Sequence, residues 1–201
     1  MWRDKEVLMI LPIVAYGHPI LRKMCIDIEP DYPDLYRLIE DMWETMYASN
    51  GVGLAAPQIN KGIRLFVVDS RQIIQGMSEE EKKEYPGDDG IKEVFINARL
   101  VETQGEEWPY NEGCLSIPKI REDIFRPQKI GIEYYDENFT PKKRIYTGIT
   151  ARVIQHEYDH IEGKLFIDYL PLLKKKLLKG KLADISKGKV SVDYRMVFPQ
   201  K

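Results

Sequence analysis

One segment near the start of the chain carries apolar residues at helical spacing. It follows residues 31–33, which resemble a helix start, and it ends at Asn50-Gly51. The apolar positions between these limits are Leu35, Leu38, Ile39, Met42 and Met46. Because residues three or four apart share one face of a helix, the pattern predicts a helix that packs against a core. We assign this helix no chemistry.

Shorter apolar runs predict β-strands over residues 64–69, 94–101, 129–135 and 143–146. The first run contains the aromatic and β-branched residue types that favour strands. The last two runs resemble a hairpin that turns around Asn138 and Pro141. Since the strands follow one another with few strand–helix alternations, the sequence predicts an α+β fold rather than a doubly wound sheet.

Two further helices are predicted in the second half of the chain. Thr150 can cap a helix that runs to about Glu162 and is ended by Gly163. Residues 171–187 predict a lysine-rich helix, although Gly180 weakens it. The polar residues 72–90 predict a surface excursion with one helical turn. We therefore expect a single domain over residues 1–201, with a lysine-rich extension from about residue 171.

Composition and charge exclude several classes of protein. Hydrophobic residues make up 43% of the chain and charged residues 31%, which excludes a disordered chain. Thirty basic and thirty-two acidic residues give a net charge of −2, so nothing global indicates nucleic acid or an anionic membrane as the main partner. The two cysteines, Cys25 and Cys114, do not form a disulfide framework, so no oxidising compartment is required.

The apolar residues 7–15 have the length of a signal-peptide core. However, Asp4 and Glu6 remove the positive charge that should precede such a core, and Pro12 interrupts it. No apolar stretch is long enough to span a bilayer. The sequence therefore predicts a cytoplasmic protein without a membrane partner.

The strongest chemical signal is His156-Glu157-Tyr158-Asp159-His160. On a helix the two histidines share a face, so both imidazoles can bind one metal ion while Glu157 lies beside it. This His-Glu-x-x-His spacing is typical of metal hydrolases, in which the glutamate moves the proton. Asp159 is expected to orient a ligand or to pair with an arginine such as Arg126 or Arg152.

An open catalytic site needs a third protein ligand. No histidine follows His160, and Glu162 follows it too closely to be the usual downstream glutamate. The candidates are therefore the two thiols. Cys114 follows Gly113, which lets the backbone approach a ligand, whereas Cys25 lies among apolar neighbours and is typical of a buried small residue. We predict Cys114.

Three segments together resemble the motifs of the peptide deformylase family. They are the Gly-rich loop from Gly51 to Gln58 (GVGLAAPQ), the segment from Glu112 to Ser116 (EGCLS) and the segment from Gln155 to His160 (QHEYDH). The residues from Gly17 to Arg22 also resemble that family's N-terminal segment, so the resemblance covers about residues 7–175. Two features depart from the family pattern, the polar insertion at 72–90 and the lysine-rich C-terminus.

The resemblance implies an α+β fold, with antiparallel β-sheets packed around a central metal-binding helix, and a hydrolase that removes the formyl group from N-formylmethionine of new proteins. By position, Cys114, His156 and His160 resemble the metal ligands and Glu157 the catalytic residue. Gln58 and the backbone N–H of Leu115 resemble the donors to the developing oxyanion. Val52 and Gly53 resemble backbone partners of the bound peptide.

The resemblance also implies the cofactor and the partners. The family uses Fe²⁺, with Zn²⁺, Ni²⁺ or Co²⁺ as possible substitutes, and a Cys-His-His site by itself does not choose between iron and zinc. The substrates are N-formylmethionyl nascent peptides. Because such peptides emerge from the phosphate-rich ribosome, the lysine-rich C-terminal segment is a candidate for docking there.

Three alternatives remain open at this point. The helix with two histidines could belong to a metallopeptidase that cleaves internal peptide bonds. Alternatively, Cys114, His156 and His160 could form a closed structural metal site with Cys25 as the fourth ligand. The lysine-rich tail could instead serve nucleic-acid binding, but residues 174–189 contain no interleaved aromatics, which counts against this as the main function.

Overall fold

A five-stranded antiparallel sheet forms the frame of the protein. The computed structural model describes residues 8–200, so Asp4 and Glu6, cited above against a signal peptide, lie outside the described residues. The strands of this sheet, in spatial order, are β2 (Gly53–Ala55), β3 (Leu65–Asp69), β4 (Lys92–Cys114), β5 (Ile117–Tyr135) and β6 (Pro141–Thr147). A separate pair, β1 (Ile13–Val14) and β7 (Met196–Val197), runs parallel.

Within the part of the chain that the structure describes, five α-helices accompany the strands. They are α1 (Leu35–Ala48), α2 (Arg71–Gly76), α3 (Glu79–Lys82), α4 (Gly148–Ile161) and α5 (Leu172–Ser186). Short 3-10 helical turns lie at Pro19–Arg22, Ala56–Ile59 and Phe166–Tyr169. Helices packed on an antiparallel sheet confirm the predicted α+β class. Within the described residues, no helix combines the length and the apolar character needed to cross a bilayer.

Helix α1 confirms the prediction made from the spacing of its apolar residues. Leu35, Ile39, Met42 and Met46 are buried in one cluster with strand residues such as Leu65. The helix ends two residues before the predicted signal, because Asn50 adopts a positive φ of 56°, a left-handed conformation that asparagine tolerates and that a helix cannot continue through.

The long hairpin of β4 and β5 was only partly predicted. The predicted strand over 94–101 is the buried beginning of β4, which continues to Cys114. Residues 101–107 are all exposed, so the arm has no alternation of buried and exposed residues that a pattern could detect. The predicted hairpin of β5 and β6 is confirmed, with Lys129 opposite Thr147 and Tyr135 opposite Pro141.

Helix α4 packs against the sheet with most of its length buried. Its apolar residues Ile149, Ala151, Val153, Ile154 and Ile161 share a cluster with Phe66, Phe95, Ile130 and Ile132 of the strands. The helix is therefore held on the sheet by packing, and the two histidines in its second half occupy fixed positions.

The start of α4 is bound by the polar segment 72–90. The predicted cap at Thr150 is wrong, because the helix begins at Gly148, and Thr150 lies inside the first turn. Instead, the Asp88 carboxylate accepts hydrogen bonds from the Thr150 backbone N–H, at 2.8 Å, and from the Thr150 hydroxyl. A carboxylate at a helix N-terminus satisfies a free N–H and complements the helix dipole. The polar segment therefore supports α4.

We expect Asp88→Ala to lower the free energy of unfolding by about 1 kcal/mol, the usual effect of losing a helix cap. The melting temperature should fall by about 2–4 °C in a chain of this size, measured by thermal denaturation. Asp89→Ala is the matched control, because Asp89 is the neighbouring, exposed carboxylate. Equal melting temperatures for the two variants would show that Asp88 contributes nothing through α4.

Candidate active site

The structure brings Cys114, His156 and His160 together. Their ligand atoms all lie within 4.8 Å of one another, and the Cys114 Sγ is 3.3 Å from the His160 Nε2. The two histidines lie one turn apart on α4, and Cys114 is the last residue of β4. Among the described residues, no fourth cysteine, histidine or carboxylate joins this group, so Cys25 is not part of it. A closed four-ligand site is therefore not formed.

These three side chains suit a divalent metal ion. A thiolate and two imidazole nitrogens are the donors that iron and zinc accept in proteins, and three ligands leave a position open. His156 Nδ1 lies 2.9 Å from the Glu112 Oε2, which leaves Nε2 as the nitrogen available to an ion. A carboxylate that binds the outer nitrogen of a ligating histidine fixes its tautomer and its orientation. These residues therefore fit the divalent metal ion that the sequence predicted.

Glu112 is the centre of a buried cluster of charges. Its carboxylate accepts hydrogen bonds from Arg126, at 2.7 and 3.0 Å, and from Arg152, at 3.1 Å, as well as contacting His156. Burial alone would raise the pKa of Glu112, but the hydrogen bonds to His156 and Arg126 outweigh it and lower the pKa well below its usual value. The cluster therefore keeps a negative charge against the outer nitrogen of His156.

Asp159 belongs to the same cluster. Its carboxylate accepts a hydrogen bond of 2.6 Å from Arg126 and another from the Tyr169 hydroxyl. The expected pairing of Asp159 with an arginine is thus confirmed, and the partner is Arg126. From the sequence, Glu112 stands out only as part of a motif, because nothing along the chain indicates that β4, β5 and α4 bring these charges together.

The carboxylate of Glu157 is buried beside the three candidate ligands. Its residue is 4% exposed, and its Oε2 has no hydrogen-bond partner among the described residues. Burial is the main cause that raises the pKa of Glu157 to about 7. A Cβ atom at Gly53 would overlap this carboxylate, which explains why the residue opposite Glu157 has no side chain. The Glu157 Oε2 is therefore available to accept a proton, since no described residue binds it.

Gln58 and Leu115 flank the same site. The Gln58 Oε1 accepts a hydrogen bond of 2.8 Å from the Ala55 N–H, which directs the Nε2 towards Cys114 Sγ, at 3.6 Å, and Ser116 Oγ, at 3.4 Å. Leu115 and Ser116 form the two-residue turn between β4 and β5. The structure thus places both predicted hydrogen-bond donors next to the candidate ligands.

One cavity of about 650 Å³ opens over these residues. The predicted site residues on its surface are Val52, Gly53, Gln58, Cys114, Leu115, His156 and Glu157, whereas His160 lies behind them. The residues that were not predicted include Ile73 from the polar segment and residues 191–194 from the C-terminus. Neither carries a motif, so only the tertiary structure reveals them.

Comparison with known proteins agrees with this geometry. The family model of polypeptide deformylase matches residues 10–176. The peptide deformylase of Christiangramia forsetii is 54% identical over 193 residues, which are 95% of this chain and 97% of that protein. The peptide deformylase of Flavobacterium psychrophilum is 53% identical over 188 residues, covering 94% and 96% of the two chains.

Solved structures give the same result. The crystal structure of the peptide deformylase from Legionella pneumophila is similar with a TM-score of 0.74 and 34% identity, covering 90% of this chain and 98% of that one. The peptide deformylase from Thermus thermophilus is similar with a TM-score of 0.76 and 34% identity, covering 90% and 99%. The similarity therefore extends over nearly the whole of both structures.

Proposed function

The chain belongs to the polypeptide deformylase family, and we propose that it hydrolyses the formyl group from N-formylmethionine with a divalent metal ion held by Cys114, His156 and His160. The membership makes it an enzyme that acts on the formylated N-terminus of new polypeptides. The metal dependence and the roles of the individual residues are the parts that we add.

One observation carries this proposal. The Glu157 Oε2, which has no hydrogen-bond partner among the described residues, borders the same cavity as Cys114 and His156 of the three-ligand group. Hydrolysis of a formamide needs an activated water, a proton for the leaving amine and a group that stabilises negative charge. A bound divalent ion supplies a water of lowered pKa and polarises the carbonyl group.

The protein's own residues then have distinct roles. Glu157 accepts a proton at its carboxylate from the attacking water and delivers it to the amine nitrogen as the C–N bond breaks, which releases formate and the free N-terminus. The Gln58 Nε2 and the Leu115 N–H donate hydrogen bonds to the oxygen on which negative charge develops. Because burial excludes water from these groups, the hydrogen bonds stabilise the charge more than they would in solvent.

Val52 and Gly53 are proposed to bind the substrate's backbone. β2, which begins at Gly53, is one of the two edge strands of the five-stranded sheet, and it pairs with β3 on one side only. The backbone of an edge strand has hydrogen-bonding groups that an extended peptide can pair with. An edge beside the cavity therefore suits a peptide whose formylated end points towards Glu157.

For the metal we propose Fe²⁺. The thiolate of Cys114 adds negative charge and lowers the Lewis acidity of the bound ion, so the identity of the metal should affect the rate strongly. Zn²⁺, Ni²⁺ and Co²⁺ are accepted by the same donors and are the proposed substitutes. An iron site with a partly exposed thiolate should also be sensitive to oxygen.

The proposal is tested by the deformylase activity of anaerobically purified protein together with its metal content. We expect turnover of formyl-Met-Ala-Ser and one metal ion for each chain, with activity lost on chelation and restored by Fe²⁺, Ni²⁺ or Co²⁺. The control substrate is an unformylated peptide with internal cleavable bonds. Cleavage of that peptide, without deformylation, would instead identify a metallopeptidase and contradict the proposal.

The role of Gln58 is tested by Gln58→Glu. This change preserves the acceptor for the Ala55 N–H but replaces the donor by a carboxylate oxygen. Since an oxyanion donor acts mainly in the transition state, kcat should fall by about 10²–10³ while KM changes little. Steady-state kinetics on formyl-Met-Ala-Ser measure both, and Gln128→Glu, at an exposed position, is the matched control. An effect confined to KM would mean that Gln58 only binds the substrate.

The lysine-rich helix α5 is proposed to dock on the ribosome. Its helical prediction is confirmed, but its leucines divide into two groups: Leu178 and Leu182 are buried, whereas Leu172, Leu173 and Leu177 are 69–77% exposed. The exposed lysines of α5 are Lys174, Lys176, Lys179 and Lys181, and the exposed Lys187 and Lys189 follow its end. Exposed ammonium groups beside exposed leucines suit a surface that is rich in phosphate and protein.

Ribosome docking is best tested by neutralising lysines, because truncation at residue 171 would remove the buried Leu178 and Leu182 together with β7. The triple change of Lys176, Lys179 and Lys187 to glutamine should weaken salt-sensitive co-sedimentation with ribosomes and leave turnover of a short formyl-peptide unchanged. The control variant changes the exposed Lys23, Lys61 and Lys164 to glutamine, which removes the same charge elsewhere. Equal sedimentation of both variants with the wild type would exclude docking through α5.

A further inference from the structure

The chain returns to the cavity after helix α5. Residues 191–194 line the same cavity as Gln58, Leu115 and Glu157, although they lie more than thirty residues beyond His160 in the sequence. Within this segment Tyr194 is partly buried, and its hydroxyl donates a hydrogen bond of 2.7 Å to the backbone carbonyl of Leu115. The C-terminus therefore makes direct contact with the turn that follows Cys114.

The position of Tyr194 is fixed by backbone pairing on its C-terminal side. Strand β7 pairs with β1, with the Ile13 N–H donating to the Arg195 carbonyl at 2.9 Å and the Ala15 N–H donating to the Val197 carbonyl at 2.8 Å. The next residue of the same N-terminal segment, Tyr16, donates its N–H to the Ser116 carbonyl at 2.8 Å. The C-terminal segment therefore binds the Leu115 carbonyl through Tyr194, and the N-terminal segment binds the Ser116 carbonyl through Tyr16.

This turn carries several of the groups that the reaction needs. Cys114 precedes it directly, the Leu115 N–H belongs to it, and the Ser116 hydroxyl accepts the hydrogen bond of 3.4 Å from the Gln58 Nε2. The pair of Cys114 and Ile117 closes the turn, but the ladder of β4 and β5 changes its register between Gly113 and Cys114, so the regular pairing of the long hairpin is interrupted next to the turn. Contacts from outside the hairpin must therefore contribute to its position.

We propose that Tyr194 is a positioning residue for deformylation, which through its hydroxyl holds the Leu115–Ser116 turn so that the Leu115 N–H and the Gln58 Nε2 converge on the same oxygen. This inference rests on the proposed function, but it assigns to the C-terminal segment a role that no motif marks. Tyr194 touches the turn and not the reacting atoms. Its loss should therefore affect the transition state more than the binding of substrate.

The test is Tyr194→Phe, which removes the hydroxyl and keeps the ring that lines the cavity. We expect kcat on formyl-Met-Ala-Ser to fall about three- to tenfold, the range that the loss of one hydrogen bond implies. KM should stay within about twofold of the wild-type value, and the metal content should be unchanged. Tyr36→Phe is the matched control, because it removes a hydroxyl that donates to Asn138 at 2.8 Å outside this cavity.

A second readout does not depend on activity or on the metal. In metal-free protein, amide hydrogen exchange of the peptide that contains residues 114–117 should be faster in Tyr194→Phe than in the wild type, and unchanged in Tyr36→Phe. Unchanged exchange together with unchanged kcat would overturn the inference. So would a loss of kcat that is explained in full by loss of metal or by global unfolding. If the wild type itself fails to deformylate, the proposed function fails, while the exchange measurement still tests the contact between Tyr194 and the turn.

Discussion

Glu157→Gln is expected to lower kcat by about 10²–10⁴ and to leave the metal content of the protein unchanged. The reason is that Glu157 is buried next to the candidate ligands, and its Oε2 has no hydrogen-bond partner within residues 8–200. Glutamine has nearly the same shape but cannot accept a proton from water and pass it to the amine. Steady-state kinetics on formyl-Met-Ala-Ser and metal analysis of the same preparation measure the two effects.

Two further variants make the Glu157 result specific. Glu40→Gln removes an exposed carboxylate of helix α1, which lines a different surface depression, and should leave kcat at the wild-type value. Gly53→Ala should also lower kcat without removing a proton acceptor, because a Cβ atom there would displace the Glu157 carboxylate. Near wild-type kcat in Glu157→Gln would show that another group moves the proton, and the proposed mechanism would then be wrong.

Cys114→Ser is expected to lower the metal affinity by more than about 100-fold, since that is the upper range for loss of an outer partner of a ligand, and Cys114 is proposed to bind the ion directly. A serine hydroxyl is a hard, neutral oxygen and replaces a thiolate poorly on iron or zinc. Metal retained after dialysis against a graded series of chelator concentrations measures the change. Activity should decline in parallel with the metal content.

Cys25→Ser is the matched control for the thiol ligand. Cys25 is 4% exposed and packs with apolar residues such as Ile161, away from the three ligand atoms. Its replacement should preserve the metal and cost only stability, because a hydroxyl is buried in an apolar site. Equal loss of metal in both variants would show that both thiols bind the ion and that the assignment of Cys114 alone is wrong.

Features that depend on residues close together in the sequence were predicted correctly, whereas features that depend on distant residues were not. Helix α1 was predicted because its apolar residues Leu35, Ile39, Met42 and Met46 recur at the helical period. The same repeat identifies the side of the helix that faces the core. The exposed arm of β4 was missed because both of its faces meet solvent over residues 101–107. The predicted cap of α4 at Thr150 is wrong because the carboxylate that caps the helix, Asp88, lies 62 residues earlier in the chain and leaves no local signal.

The candidate site also has features that the sequence indicates and features that only the packed structure reveals. His156, Glu157 and His160 could be recognised from sequence because an α-helix fixes the relative positions of residues four apart, and the three motifs in order indicated Cys114 and Gln58. The charges that hold His156 in place could not be recognised. Glu112, Arg126, Arg152 and Asp159 come from β4, β5 and α4, and ordinary polar strand and helix positions look alike until the elements are packed.

The sequence by itself determined the local units of this protein: the helix that carries two histidines and a glutamate, the thiol that joins them, and the α+β class. The tertiary structure alone decided which distant residues support these units, namely Asp88 at the start of α4, the buried Glu112 cluster and Tyr194 at the Leu115 carbonyl. The physical reason is that backbone geometry fixes spacing within one helix or turn, whereas contacts between segments depend on how strands and helices pack against one another. The identity of a single charged or aromatic residue does not indicate which distant residue it contacts.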